Sequence, residues 1–460
     1  MFFPVVFLLY WALPHRGRKY FLLAASYYFY MCWKPEFIVL ILYSTAVDYF
    51  CALGMERRAE QKKLFLAVSL TMNLGLLFFF KYFNFFVGSF CELFGLAEPG
   101  ALKLLLPVGI SFYTFQTLSY IIDVHRGKVE AERSPIKLAL YISFFPQLVS
   151  GPIVKAGEFL PQLCEDRNVS LVNLEKGVQI FLFGLFKKVV IADNIAVFVN
   201  AVYSNPVQFG GGTVLLAVVG YSIQLYCDFS GYSDMAVGCA RGLGYELPRN
   251  FNMPYLSRSV KEFWKRWHIS LSTWLMEYLY IPLGGNRKGK VRNYVNLMLT
   301  MVIGGLWHGA GWLFLLWGLM HGAASVLYRI FRKPYDGLHP ALQWMINFGF
   351  IVVAWVFFRA TSLADALAIV KAMLTMNFGP LRDSITSAFA LPGGFNPDGN
   401  AVYMMIWYAA SLFACLGLRN TYEKTMDFRP TVCNALSTVL MILYCTLSLS
   451  SVSVFLYFNF

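Results

Sequence analysis

Long runs of apolar residues recur along almost the whole chain and are separated by short polar segments. Examples are FIVLILYSTAVDYFCAL (37–53) and LFLAVSLTMNLGLLFFF (64–80), each close to charged residues at both ends. A helix needs roughly 20 mainly apolar residues to cross the hydrocarbon core of a bilayer. By that measure the pattern predicts an all-α integral membrane fold with about ten to twelve helices, some of them short or re-entrant.

The middle of the chain differs from its ends. Between about residues 104 and 322, glycine, proline and polar clusters such as SFFPQLVSGP, YCDFSGYSDMAVG and PLGGNRKGK interrupt the apolar runs. Irregular backbone at membrane depth is stable only where protein or a water-filled cavity satisfies its hydrogen bonds. We therefore expect one polytopic domain over residues 1–460, with a cavity-bearing core at 104–322.

Charge supports the membrane prediction. Charged residues make up only 14% of the chain, against about 25% in soluble domains. The net charge is +13, and basic residues are concentrated in short loops: HRGRK (15–19), MERRAEQKK (55–63), RKGKVR (287–292) and RIFRK (329–333). Because basic loops of this kind face the cytoplasm, topology explains the charge and we expect no nucleic-acid partner. The nine cysteines include no CxxC pair, so we predict neither a disulfide framework nor a metal site.

The segment KEFWKRWHISLSTWLMEYLYIPLGG (261–285) has the pattern of one amphipathic helix. Its apolar face is made by five residues at helical spacing: Phe263, Trp267, Leu271, Trp274 and Tyr278. Trp264, His268 and Ser272 fall on a neighbouring face at i, i+4 and i+8. Such a Trp-rich basic helix either anchors the chain at the membrane interface or enters the core, and periodicity alone favours neither.

Ionisable residues inside apolar segments are candidates for function, because they are costly to bury in a membrane. His308 follows Trp307 in a glycine-rich stretch, where it can act as a general base or hydrogen-bond a neighbouring helix. His321 lies 13 residues later, about 20 Å along a continuous helix. Unless the glycines break that helix, the two histidines cannot serve one centre. Because His321 is also closer to the basic loop RIFRK, we expect it to have a structural role near the membrane interface. Asp228 can orient a histidine, close a helix contact or bind a cation.

Six segments carry motifs that occur together. They are LPVGISFYTFQTLSYIIDVHRG (106–127), SFFPQLVSGPI (143–153), DFSGYSDMAVG (228–238), LPRNFNMPY (247–255), FWKRWHISLSTWL (263–275) and GGLWHGAGWLFLLWGLMHG (304–322). Together they closely resemble the membrane-bound O-acyltransferase family, in the branch of the bacterial alginate O-acetyltransferase membrane subunit. The resemblance implies a many-helix membrane enzyme with a central tunnel or funnel. It places the family's catalytic histidine at His308 and its second polar active-site position at His268.

The resemblance also implies a reaction, with a thioester such as acetyl-CoA as co-substrate and no bound cofactor. His308 would deprotonate the acceptor hydroxyl or take up the acyl group itself, and His268 would orient the partner or stabilise the oxyanion. The predicted substrate-binding residues are Trp264, Trp307, Asp228 and Ser272. The residues predicted to hold the donor phosphates, an assignment that rests on charge, are Arg258, Lys261, Lys265 and Arg266.

Relatives in this branch work with an extracytoplasmic partner, and the sequence contains no large extracytoplasmic domain. We therefore expect a multi-pass protein of the bacterial cytoplasmic membrane that O-acetylates an exported polysaccharide such as alginate, together with an SGNH-type acetyltransferase. D-alanyl transfer to teichoic acid and O-acetylation of peptidoglycan remain alternatives. A proton-coupled transporter is a further alternative, although the sequence has no internal repeat of the kind found in many transporters.

Overall fold

The computed structural model describes residues 2–97, 100, 102, 104–375, 401–417, 420–426 and 431–448, and these residues contain helices but no strand. The predicted all-α fold is therefore confirmed. The chain divides into two compact units, one formed by Met1–Val178 and Ala236–Arg249, the other by Gln179–Met235 and Asn250–Phe460. The expectation of a single domain over residues 1–460 stays a prediction.

The helices of the first unit range from four to 20 residues in length. Its helices are α1 (Phe2–Ala12), α2 (His15–Met31), α3 (Ile38–Arg57), α4 (Lys62–Leu77), α5 (Phe83–Phe94), α6 (Ile110–His125), α7 (Pro135–Ser143), α8 (Phe145–Leu148) and α9 (Ala156–Phe159). A buried polar contact joins two of them, because Asp48 of α3 accepts hydrogen bonds from Ser69 (2.5 Å) and Asn73 (2.9 Å) of α4. Lipid provides no hydrophobic force between helices, so hydrogen bonds of this kind help to hold them together.

Two helices, α10 (Leu171–Leu185) and α12 (Gly211–Gly242), contribute residues to both units. The second unit contains the remaining helices. They are α11 (Asp193–Ser204), α13 (Val260–Arg266), α14 (Ile269–Leu275), α15 (Lys290–His308), α16 (Trp312–Ile330), α17 (Arg332–Asp336), α18 (Pro340–Arg359), α19 (Leu363–Thr375), α20 (Ala401–Gly417), α21 (Thr421–Met426) and α22 (Val432–Ser448).

Some of the helices have spanning length and others are short, as predicted. Within the described ranges five segments are long and apolar enough: Pro35–Arg57, Ala59–Phe94, Gly211–Gly242, Trp312–Ile330 and Pro340–Arg359. A local break shortens one further run, and the helix type changes within another. The predicted run 104–122 becomes helical only at Ile110, after Pro107 and Gly109, and the run 178–192 passes from α10 into the π-helical turn Phe186–Ala192.

An antiparallel hairpin of α15 and α16 positions the candidate site. A Cβ atom on Gly305 would overlap the carbonyl oxygen of Phe314, and one on Gly318 would lie 2.5 Å from the carbonyl oxygen of Met301. Only glycine therefore permits this close approach of the two helices. Residues 309–311 form the turn between the two helices. His308 and His321 therefore do not lie on one continuous helix, and the separation of about 20 Å expected for such a helix does not apply.

Candidate active site

His308 is the last residue of α15 and is buried, with 4% of its surface exposed. Its ring centroid lies 4.9 Å from that of Trp307, 5.2 Å from that of Trp317 and 5.2 Å from that of Phe358. These rings come from α15, α16 and α18. An aromatic enclosure of this kind keeps bulk water away from a reacting group, as the role predicted for His308 requires.

His268 lies at a sharp bend between α13 and α14. Its backbone is left-handed (φ 41°, ψ 59°), so the prediction of one amphipathic helix through this segment is wrong at this residue. The left-handed conformation costs a non-glycine residue roughly 1–2 kcal/mol, and strained backbone of this kind is concentrated at functional sites. The bend also means that Trp264, His268 and Ser272 do not share one helical face. Ser272 instead donates its hydroxyl to the carbonyl oxygen of Trp267 (3.2 Å).

Asn250, which is 1% exposed, holds the bend at His268. Its Oδ1 accepts hydrogen bonds from the hydroxyl (2.6 Å) and the backbone N–H (3.3 Å) of Ser270. Its Nδ2 donates to Ser233 Oγ (3.1 Å), and its own carbonyl accepts the N–H of Ile269 (2.8 Å). Reasoning from the sequence did not single out Asn250, although it lies inside the motif LPRNFNMPY.

The two predicted catalytic histidines are brought together at Trp307. The ring of His268 lies 6.0 Å from that of Trp307, which also contacts His308. A further ring, that of Phe229 on α12, lies 4.7 Å from His268. His268 itself is fully buried. His268 and His308 are 40 residues apart in the sequence, yet both contact the ring of Trp307 in the fold.

His321 lies closer to this group than a continuous helix would allow. Its ring is fully buried and lies 4.6 Å from Trp317, which also contacts His308, and 5.1 Å from Trp264. In the part of the chain that the structure describes, neither ring nitrogen of His321 nor the indole N–H of Trp264 or Trp317 has a hydrogen-bond partner. Buried polar atoms are normally satisfied by protein, water or ligand, and the substrate-binding role of Trp264 stays a prediction.

Asp228 forms an ion pair inside the second unit. Lys188 Nζ lies 2.6 Å from Asp228 Oδ1 and 2.8 Å from Asp193 Oδ1. Close helix approach accompanies the pair, since a Cβ atom on Gly184 would lie 2.5 Å from the carbonyl oxygen of Gly231. Of the roles left open for Asp228, the structure shows the helix–helix contact, and substrate binding stays a prediction. Lys188 was missed, although a lysine within an apolar run is itself a signal.

The residues predicted to bind the donor phosphates lie at or just before α13 and are exposed or half-buried: Arg258, Lys261, Lys265 and Arg266. Arg266 pairs with Glu262 (2.8 Å). Burial lowers the pKa of Lys261, and the nearby charges of Lys265, Arg332 and Arg329 lower it further. Cations from α13 and from the loop RIFRK are therefore close enough to repel one another, an arrangement that attracts an anion.

Comparisons with known proteins agree on one family. Residues 129–364 match the model of MBOAT, the membrane-bound O-acyltransferase family. The peptidoglycan O-acetyltransferase of Helicobacter pylori is 38% identical, over 100% of this chain and 95% of that protein. The probable alginate O-acetylase AlgI of Pseudomonas aeruginosa is 41% identical, over 93% of this chain and 81% of that one. The teichoic acid D-alanyltransferase of Bacillus subtilis is 30% identical, over 56% of this chain and 69% of that one.

Proposed function

The chain belongs to the membrane-bound O-acyltransferase family, and from that premise we propose that it moves an acetyl group from a cytoplasmic thioester to an exported polysaccharide. The protein is a multi-pass membrane protein and an O-acyltransferase, which overturns the alternative of a proton-coupled transporter. Two relatives that align over most of the chain are named for O-acetylation, whereas the D-alanyltransferase aligns over 56% of it. This difference favours acetyl over D-alanyl as the transferred group.

The observation that carries the proposal is the contact of His268 and His308 with the same tryptophan, Trp307. The acceptor hydroxyl oxygen forms a bond to the thioester carbonyl carbon, and the carbon–sulfur bond breaks. His308 takes the hydroxyl proton and passes it to the leaving thiolate. His268, held in its strained bend, donates a hydrogen bond to the carbonyl oxygen as negative charge develops there.

The donor in this proposal is acetyl-CoA or a similar acyl thioester. Its phosphates are held by the basic cluster of α13 and the RIFRK loop, because like charges that lie close together gain by binding an anion. No metal or resident cofactor enters the reaction. Acetyl-CoA turnover by purified protein, with no turnover of a D-alanyl carrier, is the expected result for the donor.

The acceptor is a polysaccharide outside the cytoplasmic membrane, reached together with an SGNH-type acetyltransferase partner. Alginate is one candidate, because AlgI of Pseudomonas aeruginosa is 41% identical. Peptidoglycan is a second candidate, because the Helicobacter pylori relative aligns with the whole of this chain. Deleting each SGNH-type protein of the host in turn, and measuring O-acetyl groups on both polymers, distinguishes the two. Full acetylation without any such partner would refute the partnership.

The decisive experiment replaces His308 with alanine and measures O-acetyl groups on the exported polymers at matched membrane abundance. Loss of a general base lowers the rate by roughly 10²–10⁴-fold, so acetylation should fall below detection. The control is His339→Asn, because His339 is exposed and caps α18 through a side chain that asparagine can replace. Normal acetylation by His308→Ala, in a host with no other O-acetylase, would remove His308 from the chemistry.

A further inference from the structure

A cavity of about 340 Å³ lies between helices of the second unit. Its wall is mainly apolar and includes Phe183, Phe186, Ile191, Ala414 and Met441, which come from α10, the π-helical turn after it, α20 and α22. None of its lining residues is a histidine, and none belongs to the donor-phosphate cluster of α13. The reaction proposed above therefore leaves this space unused.

Two lysines add positive charge to the apolar wall. Lys424 of α21 is exposed, and its ammonium lies 4.7 Å from the ring centroid of Phe183. Lys187 is mostly buried, and its ammonium lies 2.7 Å from Asp234, which compensates its charge. Lys424 is therefore the cation of the cavity that is best placed to meet an anion arriving from outside.

We propose that this cavity binds an anionic membrane phospholipid, with an acyl chain against the apolar wall and the phosphate at Lys424. Basic pockets between membrane helices bind anionic lipid headgroups, and a multi-pass protein is surrounded by molecules of this class. The wall also favours an amphiphile over a free anion, because a small anion would leave the apolar surface without a partner. The site is additional to the donor and acceptor sites of the proposed function.

A lipid here would contact a wall that leads to the active site. The ring of Tyr226, which lines the cavity, lies 5.8 Å from that of Phe251 and 6.3 Å from that of Trp267, the residue before His268. A filled cavity keeps these rings packed, whereas an empty one leaves them without contacts on one side. Transfer activity should therefore be higher in bilayers that contain an anionic lipid than in bilayers of zwitterionic lipid alone.

The test measures lipid binding to the purified full chain by native mass spectrometry, with dioleoyl phosphatidylglycerol and dioleoyl phosphatidylcholine as probes. The wild type should bind phosphatidylglycerol roughly fivefold more tightly, and inorganic phosphate should not compete. Ala414→Phe, which places a ring in the cavity, should lose both lipids. Lys424→Glu should lose the preference for phosphatidylglycerol, whereas Lys371→Glu, a control at an exposed lysine of α19, should keep it.

Equal binding of the two lipids by the wild type, or an unchanged preference in Lys424→Glu, would overturn the proposal. Lys424 is exposed, so its replacement tests the site even where Ala414→Phe folds poorly. His308→Ala should lose transfer but keep phosphatidylglycerol binding. Failure of the lipid site and failure of the proposed function are therefore distinguishable.

Discussion

Replacing Asn250 with alanine tests whether the bend at His268 is needed for transfer. The change removes three side-chain hydrogen bonds, two with Ser270 and one with Ser233. At about 1 kcal/mol each, their loss amounts to roughly 3 kcal/mol. The left-handed backbone of His268 costs about 1–2 kcal/mol, which these three bonds outweigh. Without them the backbone bond from the N–H of Ile269 to the carbonyl of residue 250 remains, and the bend should loosen.

The expected effect falls on kcat rather than on donor binding. About 3 kcal/mol at the transition state corresponds to roughly two orders of magnitude in rate. The basic residues predicted to hold the donor are untouched, so KM for acetyl-CoA should stay near the wild-type value. Ser270→Ala removes the hydroxyl bond to Asn250 and keeps the backbone N–H bond. Losing this one hydrogen bond, at about 1 kcal/mol, should lower kcat roughly fivefold.

The assay follows release of CoA from acetyl-CoA by purified protein in the presence of an acceptor. Asn252→Ala is the matched control, because Asn252 is the same residue type two positions on and its side chain contacts Asn420 (3.4 Å), away from Ser270. If Asn250→Ala turns over acetyl-CoA at the wild-type rate, or if Asn252→Ala is equally impaired, Asn250 does not position His268.

Three further changes probe other parts of the site. Gly305→Ala should cost roughly 1–3 kcal/mol and lower both melting temperature and activity, whereas Gly304→Ala should be milder because its Cβ would meet only a flexible leucine side chain, at 3.2 Å. Lys188→Met removes the ammonium that pairs with buried Asp228, at a cost of about 3–5 kcal/mol, so the yield of folded protein should fall and adding Asp228→Asn should restore part of it. Burial and neighbouring cations lower the pKa of Lys261, so its charge is lost at a lower pH than that of an ordinary lysine. KM for acetyl-CoA should therefore rise at alkaline pH in the wild type and rise less in Lys261→Arg; equal profiles would exclude a role for the Lys261 charge in donor binding.

The fold class could be predicted because lipid imposes a simple rule on the chain. An apolar run of about 20 residues with few charges satisfies its backbone hydrogen bonds in a membrane by forming a helix, and the described residues contain helices but no strand. The predicted ten to twelve helices included short or re-entrant ones, and five described segments are long and apolar enough to span. Hydropathy does not locate local breaks such as the one at Pro107 and Gly109, before α6. Such breaks change helix length without changing composition.

The site was predicted in part. His308 was chosen by its apolar surroundings and by the family motifs, and His268 by the motifs; the structure places both beside Trp307. Periodicity could not reveal the left-handed bend at His268, because the hydrogen bonds that stabilise it come from Asn250, 18 residues earlier. The contact of His308 with Trp317 likewise depends on the turn at Gly309, Ala310 and Gly311, which reverses the chain between α15 and α16.

The length of the α15–α16 hairpin determines how far its basic loops lie from His308. Arg329 donates to Asn293 (2.8 Å) at the open end, so the basic segments 287–292 and 329–333 lie together there, while His308 lies at the turn. Eighteen residues separate Lys290 from His308, which is about 27 Å of helix, close to the full thickness of the hydrocarbon core. A donor held at these loops alone would have to bridge that distance, whereas α13, whose basic residues are also predicted to hold the donor phosphates, ends at Arg266, two residues before His268. The length required of the donor therefore depends on which basic segment binds its charged end.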